Sequence, residues 1–377
     1  MQTFKIVCTH FFIMKIVNLY STLFFAFFIS CSSINKNQVV KVNSSNKTSS
    51  KFEPNDDDCL VFIGQDLEAI GGLDNYSKGY CDTFEMPAGI TLYTGFTPNK
   101  ESYGYFQKGN DGLKSIVNWG AGDTCLQCIL DDDDFKNTMI SIGLSMVDNE
   151  KKVALGEHDD LIRELGTWIK NSKRPVFLRI GYEFDGWSWN HYKKKYYLEA
   201  WKRIHTKFKE MNVANVAFVW QSKGNGSNQQ VLDDWYPGDE FVDWCAYSYF
   251  DNPDTEMLTF ARKHQKPVFI AEATPTLSID GLYFNSRLDN PKVAYEAWEK
   301  WFTPFFKTIN DNKDVIKAFS YINANWSKQP MWITNSVFQQ VDSRIQISDS
   351  ISKKWKEELM NPRYLKASPS LFEKLEN

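Results

Sequence analysis

The sequence predicts a (β/α)₈ barrel, a single domain after a signal peptide and a flexible tether. From Cys59 onward, eight short runs rich in β-branched and aromatic residues alternate with longer stretches of helical periodicity. A doubly wound open sheet is the competing architecture. It calls for a glycine-rich phosphate turn after the first strand, and "GQDLEAIGG" stands there instead.

The elements follow in order. Residues 1–30 read as a signal peptide whose true start is Met14, because "MKIVNLYSTLFFAFFIS" places one lysine before an apolar run too short for a membrane span. Cys31 comes directly after a small residue, in the manner of a bacterial lipoprotein cleavage site. A lipid on Cys31 and a polar linker over 31–58 are therefore expected, with an ordinary secretory signal as the other reading. Both take the protein out of the cytosol. The predicted catalytic barrel spans 59–377, with strands at 59–64, 89–96, 139–146, 175–184, 215–222, 242–250, 267–273 and 316–323. Among the intervening helices, one carries Tyr197, Trp201, Ile204, Phe208 and Met211 on a single face. Another, "DDLIRELGTWIKNS", carries Leu161, Leu165 and Trp168.

Composition narrows the function. With 42% hydrophobic residues the chain can bury a large core, and 43 basic against 47 acidic residues leave a net charge of −4. Such a balance gives no field to gather nucleic acid, so no nucleic-acid partner is expected. The 13 Trp, 17 Tyr and 28 Phe exceed what a core requires, which leaves rings for a ligand. Disulfides are permitted outside the cytosol, and Cys59, Cys81, Cys125 and Cys128 are available; "CLQC" at 125–128 reads as structural, and Cys245 as a buried thiol. His10, His158, His191, His205 and His264 show no metal spacing, and no G-x-S-x-G appears. Neither a metal nor a cofactor is expected.

Barrel chemistry sits at the C-terminal strand ends, where alternation decides which side chains face inward. In the fourth run Phe177, Arg179, Gly181 and Glu183 share a face, and in the seventh Val268, Ile270 and Glu272 do. Two carboxylates across one pocket serve as proton donor and nucleophile on a glycosidic bond, with retention when they stand roughly 5 to 5.5 Å apart. Glu183, bracketed by Tyr182, Phe184 and Trp187, would keep its proton by desolvation, and Glu272 would stay ionised beside Arg179.

The stretches "RIGYEFDG", "YYLEAWKRIHTKFKEMNVANVAFVWQS", "WYPGDEFVDWCAYSYFD", "KPVFIAEA" and "DSRIQIS", from about Ser141 to Ser348, resemble glycoside hydrolase family 26 and its relatives in clan GH-A. The resemblance implies a retaining, mostly endo-acting enzyme on β-mannan, β-1,3-xylan or β-glucan. Its acid/base falls on Glu183 and its nucleophile on Glu272. Where that family usually has His before and Asn two places after the acid/base, this chain has Tyr182 and Asp185. In place of a Ser-Pro-Asn type of sequence stand Gln221, Ser222 and Lys223. Lys223 is either a solvated loop residue or a cation for a sulfate or carboxylate on an algal glycan.

Trp187, Trp189, Trp220 and Trp326 lie at or beyond strand ends as candidate sugar platforms. Tyr249 or Tyr247 is expected to hydrogen-bond the nucleophile, and Arg344 either holds the eighth loop or touches ligand. The expected partners are a polysaccharide and, through the lipid anchor, a membrane at the outer membrane or cell surface; the protein is expected to be a monomer. Two alternatives stand beside this reading: a non-catalytic glycan-binding lipoprotein, and a barrel hydrolase of another family on sulfated galactan or fucan.

Overall fold

Each of the eight runs becomes a strand for the reason its composition suggests, since β-branched and aromatic side chains pack well on a pleated surface buried on both faces. The computed structural model describes residues 50–375 except 56 and 277–285, so the signal peptide, Cys31 and most of the linker lie outside the described residues. The strands are β1 (Cys59–Gly64), β2 (Gly89–Gly95), β3 (Met139–Ser145), β4 (Val176–Ile180), β5 (Val216–Ser222), β6 (Trp244–Tyr249), β7 (Val268–Ala273) and β8 (Ile316–Ile322). They pair in parallel in chain order. β8 returns to β1 with Leu60 opposite Ala318 and Gly64 opposite Ile322, which closes the cylinder. This is the (β/α)₈ barrel the alternation predicts.

Inside, Leu60, Phe62, Met139, Phe177, Val219, Trp244 and Phe269 fill the lower layers, with Ala217, Ala246, Ala271 and Ala318 as the small partners. The segment before β1 plugs the N-terminal end of the cylinder: Phe52 packs 5.8 Å from Phe177, and the Trp244 indole N–H donates to the Lys51 carbonyl at 2.7 Å. Leu371 and Leu375 of the final helix join the same cluster.

Outside, the strands meet the helices in a larger apolar layer. Helix Lys194–Glu210 buries Tyr197, Ala200, Trp201, Ile204 and Phe208, as its periodicity predicts, and Met211 is its C-cap. Helix Asp159–Ser172 buries Leu165 and Trp168 as expected, together with Ile162 and Ile169, while Leu161 is only partly buried at the edge of the stripe.

Short pairings outside the eight runs escaped the pattern reading. A hairpin of Thr97–Ser102 against Tyr105–Gly109 rises beyond β2, and Tyr364–Leu365 pairs beside Cys59 and Leu60. Cys125 and Cys128 form a disulfide, while Cys59, Cys81 and Cys245 are free. Among the described residues no helix is long and apolar enough to cross a membrane.

Candidate active site

The fourth strand is shorter than expected, and that changes how Glu183 enters the mouth. β4 ends at Ile180, and the chain then turns through left-handed conformations at Gly181 (φ 53°) and Glu183 (φ 52°). A Cβ on residue 181 would lie 2.7 Å from the Tyr197 ring, so glycine is required on both counts. Glu183 has a Cβ and carries a cost of roughly 1–2 kcal/mol in that region. The turn is held by Asn190, whose side-chain amide donates to the carbonyls of Tyr182 (2.8 Å) and Glu183 (2.9 Å), and by the Gly186 N–H on the Glu183 carbonyl. Strand alternation therefore does not aim Glu183; a hydrogen-bonded turn does.

Glu272 is re-aimed too. Along β7, Phe269 and Ala271 belong to the inner layer, while Val268, Ile270 and Ala273 face the helices. Unbroken alternation would send Glu272 outward with Ile270. A bulge prevents this: Tyr247 pairs with Ile270 but Ser248 pairs with Glu272, so two residues of β7 oppose a single step of β6. The shared face expected for Val268, Ile270 and Glu272 is thus corrected by the bulge.

One chain of hydrogen bonds joins the carboxylates. Glu183 Oε1 accepts from Ser248 Oγ at 2.7 Å and Oε2 from Trp189 Nε1 at 2.8 Å. Ser248 Oγ accepts from Gln221 Nε2 at 3.0 Å, and Gln221 Oε1 accepts from Arg179 Nη1 at 3.0 Å. The same Nη1 donates to Glu272 Oε1 at 2.7 Å in an ion pair whose arginine is fully buried. The guanidinium lies 5.0 Å from the Tyr93 ring centroid and 5.4 Å from that of Tyr182. Room for it comes from Gly143, where a Cβ would stand 2.4 Å from the Tyr93 ring and 2.8 Å from Arg179 Nη2.

The two acids are inequivalent. Glu183 is 8% exposed and Glu272 6%. Burial, and then the charge of Glu272, push Glu183 up to about 8 against the bonds from Ser248 and Trp189. A carboxyl that keeps its proton near neutrality beside an arginine-paired carboxylate is the division a proton donor and a nucleophile need.

The other predicted site residues separate into two groups. Arg179, Tyr182, Gln221, Trp187 and Trp189 surround the carboxylates or the rim beside them; Trp187 and Trp189 are each 50% exposed, with Trp187 resting on Trp235. The second group requires correction. Trp220 stacks on Phe184 at 4.6 Å in the helix-facing layer, since Gln221, not Trp220, has inward parity on β5. Tyr247 and Tyr249 also face the helices, Tyr249 against Trp301 and Phe305, and the inward residue of β6 is Ser248. Trp326 is 2% exposed, stacks on Phe338 at 4.3 Å and offers no face to a sugar.

Asp185 is fully buried and accepts from the Lys223 N–H at 2.7 Å and Ser227 Oγ at 2.5 Å, so it ties down the loop after β5. The Lys223 ammonium donates to the carbonyl of Asn225 in that same loop. Arg344 grips Asp342 with two bonds of 2.8 Å. Ser248, Tyr93, Gly143 and Asn190 were missed. The signal for Ser248 lay in the inward series Trp244, Ala246, Ser248, but the outward series Cys245, Tyr247, Tyr249 is as apolar, so hydrophobicity does not choose between them. Among the described residues no cluster of His, Cys, Asp or Glu is arranged to hold a metal ion.

A parallel barrel with two buried, linked glutamates beyond β4 and at the end of β7 has the frame of a glycosidase. A family model described as Glycosyl hydrolase family 26 matches residues 136–335. A β-1,3-xylanase, TXYA, of Vibrio sp. is 32% identical over 342 residues, 85% of this chain and 68% of that protein. A β-1,3-xylanase of Alcaligenes sp. is 31% identical over 350 residues, 88% and 70% of the respective lengths. Among solved structures, a β-mannanase of Bacteroides ovatus shares the fold with a TM-score of 0.52 at 14% identity, over 82% of this chain and 91% of that one. An endo-β-1,4-mannanase of Cellulomonas fimi does so with a TM-score of 0.54 at 13% identity, over 84% and 77%. The chain belongs to glycosyl hydrolase family 26, and it is a glycoside hydrolase.

Proposed function

We propose that this chain hydrolyses internal bonds of a β-1,3-linked xylan with retention of configuration, Glu183 acting as acid/base and Glu272 as nucleophile. The observation that carries the reading is the asymmetric pair itself: one carboxyl raised to about 8 by burial, the other ion-paired with Arg179, both in one network through Ser248 and Gln221. The substrate follows from the similarity to two β-1,3-xylanases, each aligned over most of this chain.

In the first step Glu183 gives its proton to the leaving oxygen while Glu272 attacks the anomeric carbon, and the donor's high pKa keeps that proton in place at neutral pH. Arg179 holds one oxygen of Glu272 and leaves the other for attack. In the second step Glu183, now ionised and steadied by Ser248 and Trp189, takes a proton from a water whose oxygen attacks the anomeric carbon, breaking its bond to Glu272 and releasing the sugar. Trp187 and Trp189, half-exposed on the Glu183 side, suit the leaving portion of the chain.

The test is release of reducing ends from β-1,3-xylan beside β-mannan, mixed-linkage β-glucan and sulfated algal glycans, with the anomer of the first product read by proton NMR. Release from xylan with the β-anomer formed first, lost in Glu272→Gln, is the expected result. Binding without release by the parent protein would make it a glycan-binding module instead. The same proposal includes export and a lipid on Cys31. Cys31→Ser should shift the protein from the membrane fraction to the soluble one.

A further inference from the structure

Arg179 keeps its charge through a reaction in which its partner does not. Among the described residues its one ion pair is with Glu272, its Nη1 also donates to Gln221 Oε1, and its Nε and Nη2 have no hydrogen-bond acceptor. In the first step an oxygen of Glu272 bonds to the anomeric carbon, the glycosidic bond breaks, and the Glu183 proton goes to the leaving oxygen. The negative charge is then on Glu183. Arg179, fully buried, is left facing a neutral ester, and a buried charge without its counterion is costly.

What stays beside it is aromatic. Tyr93, Gly143 and Arg179 stand in register on β2, β3 and β4, and the glycine between them leaves the space through which the Tyr93 ring reaches the guanidinium. The Tyr93 centroid is 5.0 Å from Arg179 Cζ and the Tyr182 centroid 5.4 Å, and the two rings meet edge to face at 5.3 Å and 65°. The face of a ring attracts a cation without carrying a charge. Both phenols are held well above their ordinary pKa, first of all by burial, so neither becomes the missing counterion. The Tyr93 hydroxyl feels Glu272 and Arg179 but makes no hydrogen bond of good geometry, which leaves its ring as the part that acts.

The backbone of Tyr93 is braced by Thr124, whose Oγ1 accepts from the Tyr93 N–H at 3.3 Å and donates to the Tyr93 carbonyl at 3.1 Å. The disulfide of Cys125 and Cys128 follows directly. Gly112 makes room for the brace, since a Cβ there would lie 2.8 Å from both Thr124 Cγ2 and the Tyr93 carbonyl.

We propose that Tyr93 and Tyr182 are positioning residues, a neutral aromatic clamp that keeps Arg179 seated on Glu272 Oε1 while the nucleophile is an ester. Seated there, Arg179 stabilises the charge that returns to that oxygen when water attacks. A further carboxylate in place of the rings would draw the guanidinium off Glu272. The clamp rests on the roles proposed for Glu183 and Glu272 and acts in the second step.

The experiment has two arms. A dinitrophenyl β-1,3-xylobioside, whose leaving group departs readily, makes the second step limiting, whereas the poorer leaving group of β-1,3-xylan makes the first step limiting. Tyr93→Leu should lower kcat on the activated substrate about tenfold, the size of a desolvated cation–π contact, with a lower KM and the burst of dinitrophenolate retained. On xylan the loss should stay within about threefold. Tyr93→Phe keeps the ring face and should recover most of the loss. Equal losses on both substrates, or a phenylalanine variant as slow as the leucine one, overturn the clamp.

The second arm needs no turnover. Glu272→Gln makes the nucleophile neutral, as the ester does, without any sugar. Tyr93→Leu should therefore weaken folding about tenfold more in that background than in the parent, read as the unfolding equilibrium constant from denaturant titration. A penalty equal in both backgrounds overturns the clamp whatever the protein cleaves. The larger penalty in Glu272→Gln, found in a protein that releases nothing from xylan, supports the clamp and removes the substrate instead.

Discussion

Replacing Trp189 with phenylalanine keeps a ring at the rim but removes the indole N–H that donates to Glu183 Oε2. That bond, at 2.8 Å, favours the ionised carboxyl, so its loss must raise the pKa of Glu183. A hydrogen bond to a charged group contributes about 1.5–3 kcal/mol, and the half-exposed ring lets water recover part of it. A net of about 1.4 kcal/mol corresponds to one pH unit. The alkaline limb of kcat/KM, set near the value of about 8 for Glu183, should move up by roughly that unit. Gly186→Ala tests the same bond without altering the tryptophan. The added Cβ would stand 2.5 Å from the indole Cε2 and Nε1, pushing the ring off the carboxyl and moving the limb in the same direction. The assay is reducing-end release from soluble substrate across the alkaline range. A rate that falls in both variants with the limb unmoved would leave Trp189 as a sugar platform alone. A limb that moves down would contradict the hydrogen bond.

Other outcomes follow from the same geometry. Because the folded state holds the Glu183 proton above the ordinary carboxyl value of 4.5, up to about 8, the wild-type protein loses stability as pH rises through that interval. Glu183→Gln should therefore gain on wild type between those pH values, read as a widening difference in Tm. Arg179→Met strips the counter-charge from buried Glu272 and should cost about 3–5 kcal/mol in denaturant unfolding, along with turnover. Gly143→Ala drives a methyl into Tyr93 and Arg179, which predicts a loss of about 1–3 kcal/mol and a lower kcat. Tyr249→Phe, whose ring faces Trp301 and Phe305 in the helix layer, should leave kcat/KM within about twofold.

The barrel was legible because parallel strands buried on both faces announce themselves as compact apolar runs, and the observed strands fall inside those runs. Boundaries at turns were harder. The fourth run continues in Tyr182 and Phe184, residues any strand accepts, and only the glycine at 181 hinted that the backbone turns there. Inward and outward faces were not legible where both are apolar. This is why Tyr247 and Tyr249 were favoured over Ser248, and Trp220 over a role limited to its neighbour Gln221. Glu272 was placed at the mouth from a parity that the bulge in β7 overturns, and the bulge depends on how β6 and β8 pair with it, which no local pattern encodes. Trp326 looked available because it follows a strand end, but Phe338, Val341 and Ser343 fold back over it from later in the chain.

The plug formed by Lys51 and Phe52 has a geometric consequence. The polypeptide enters the cylinder at the pole farthest from Glu183 and Glu272. The described chain therefore starts at the base of the cup while the catalytic pair opens at its brim, so closure of the cylinder and chemistry are given to opposite ends of it.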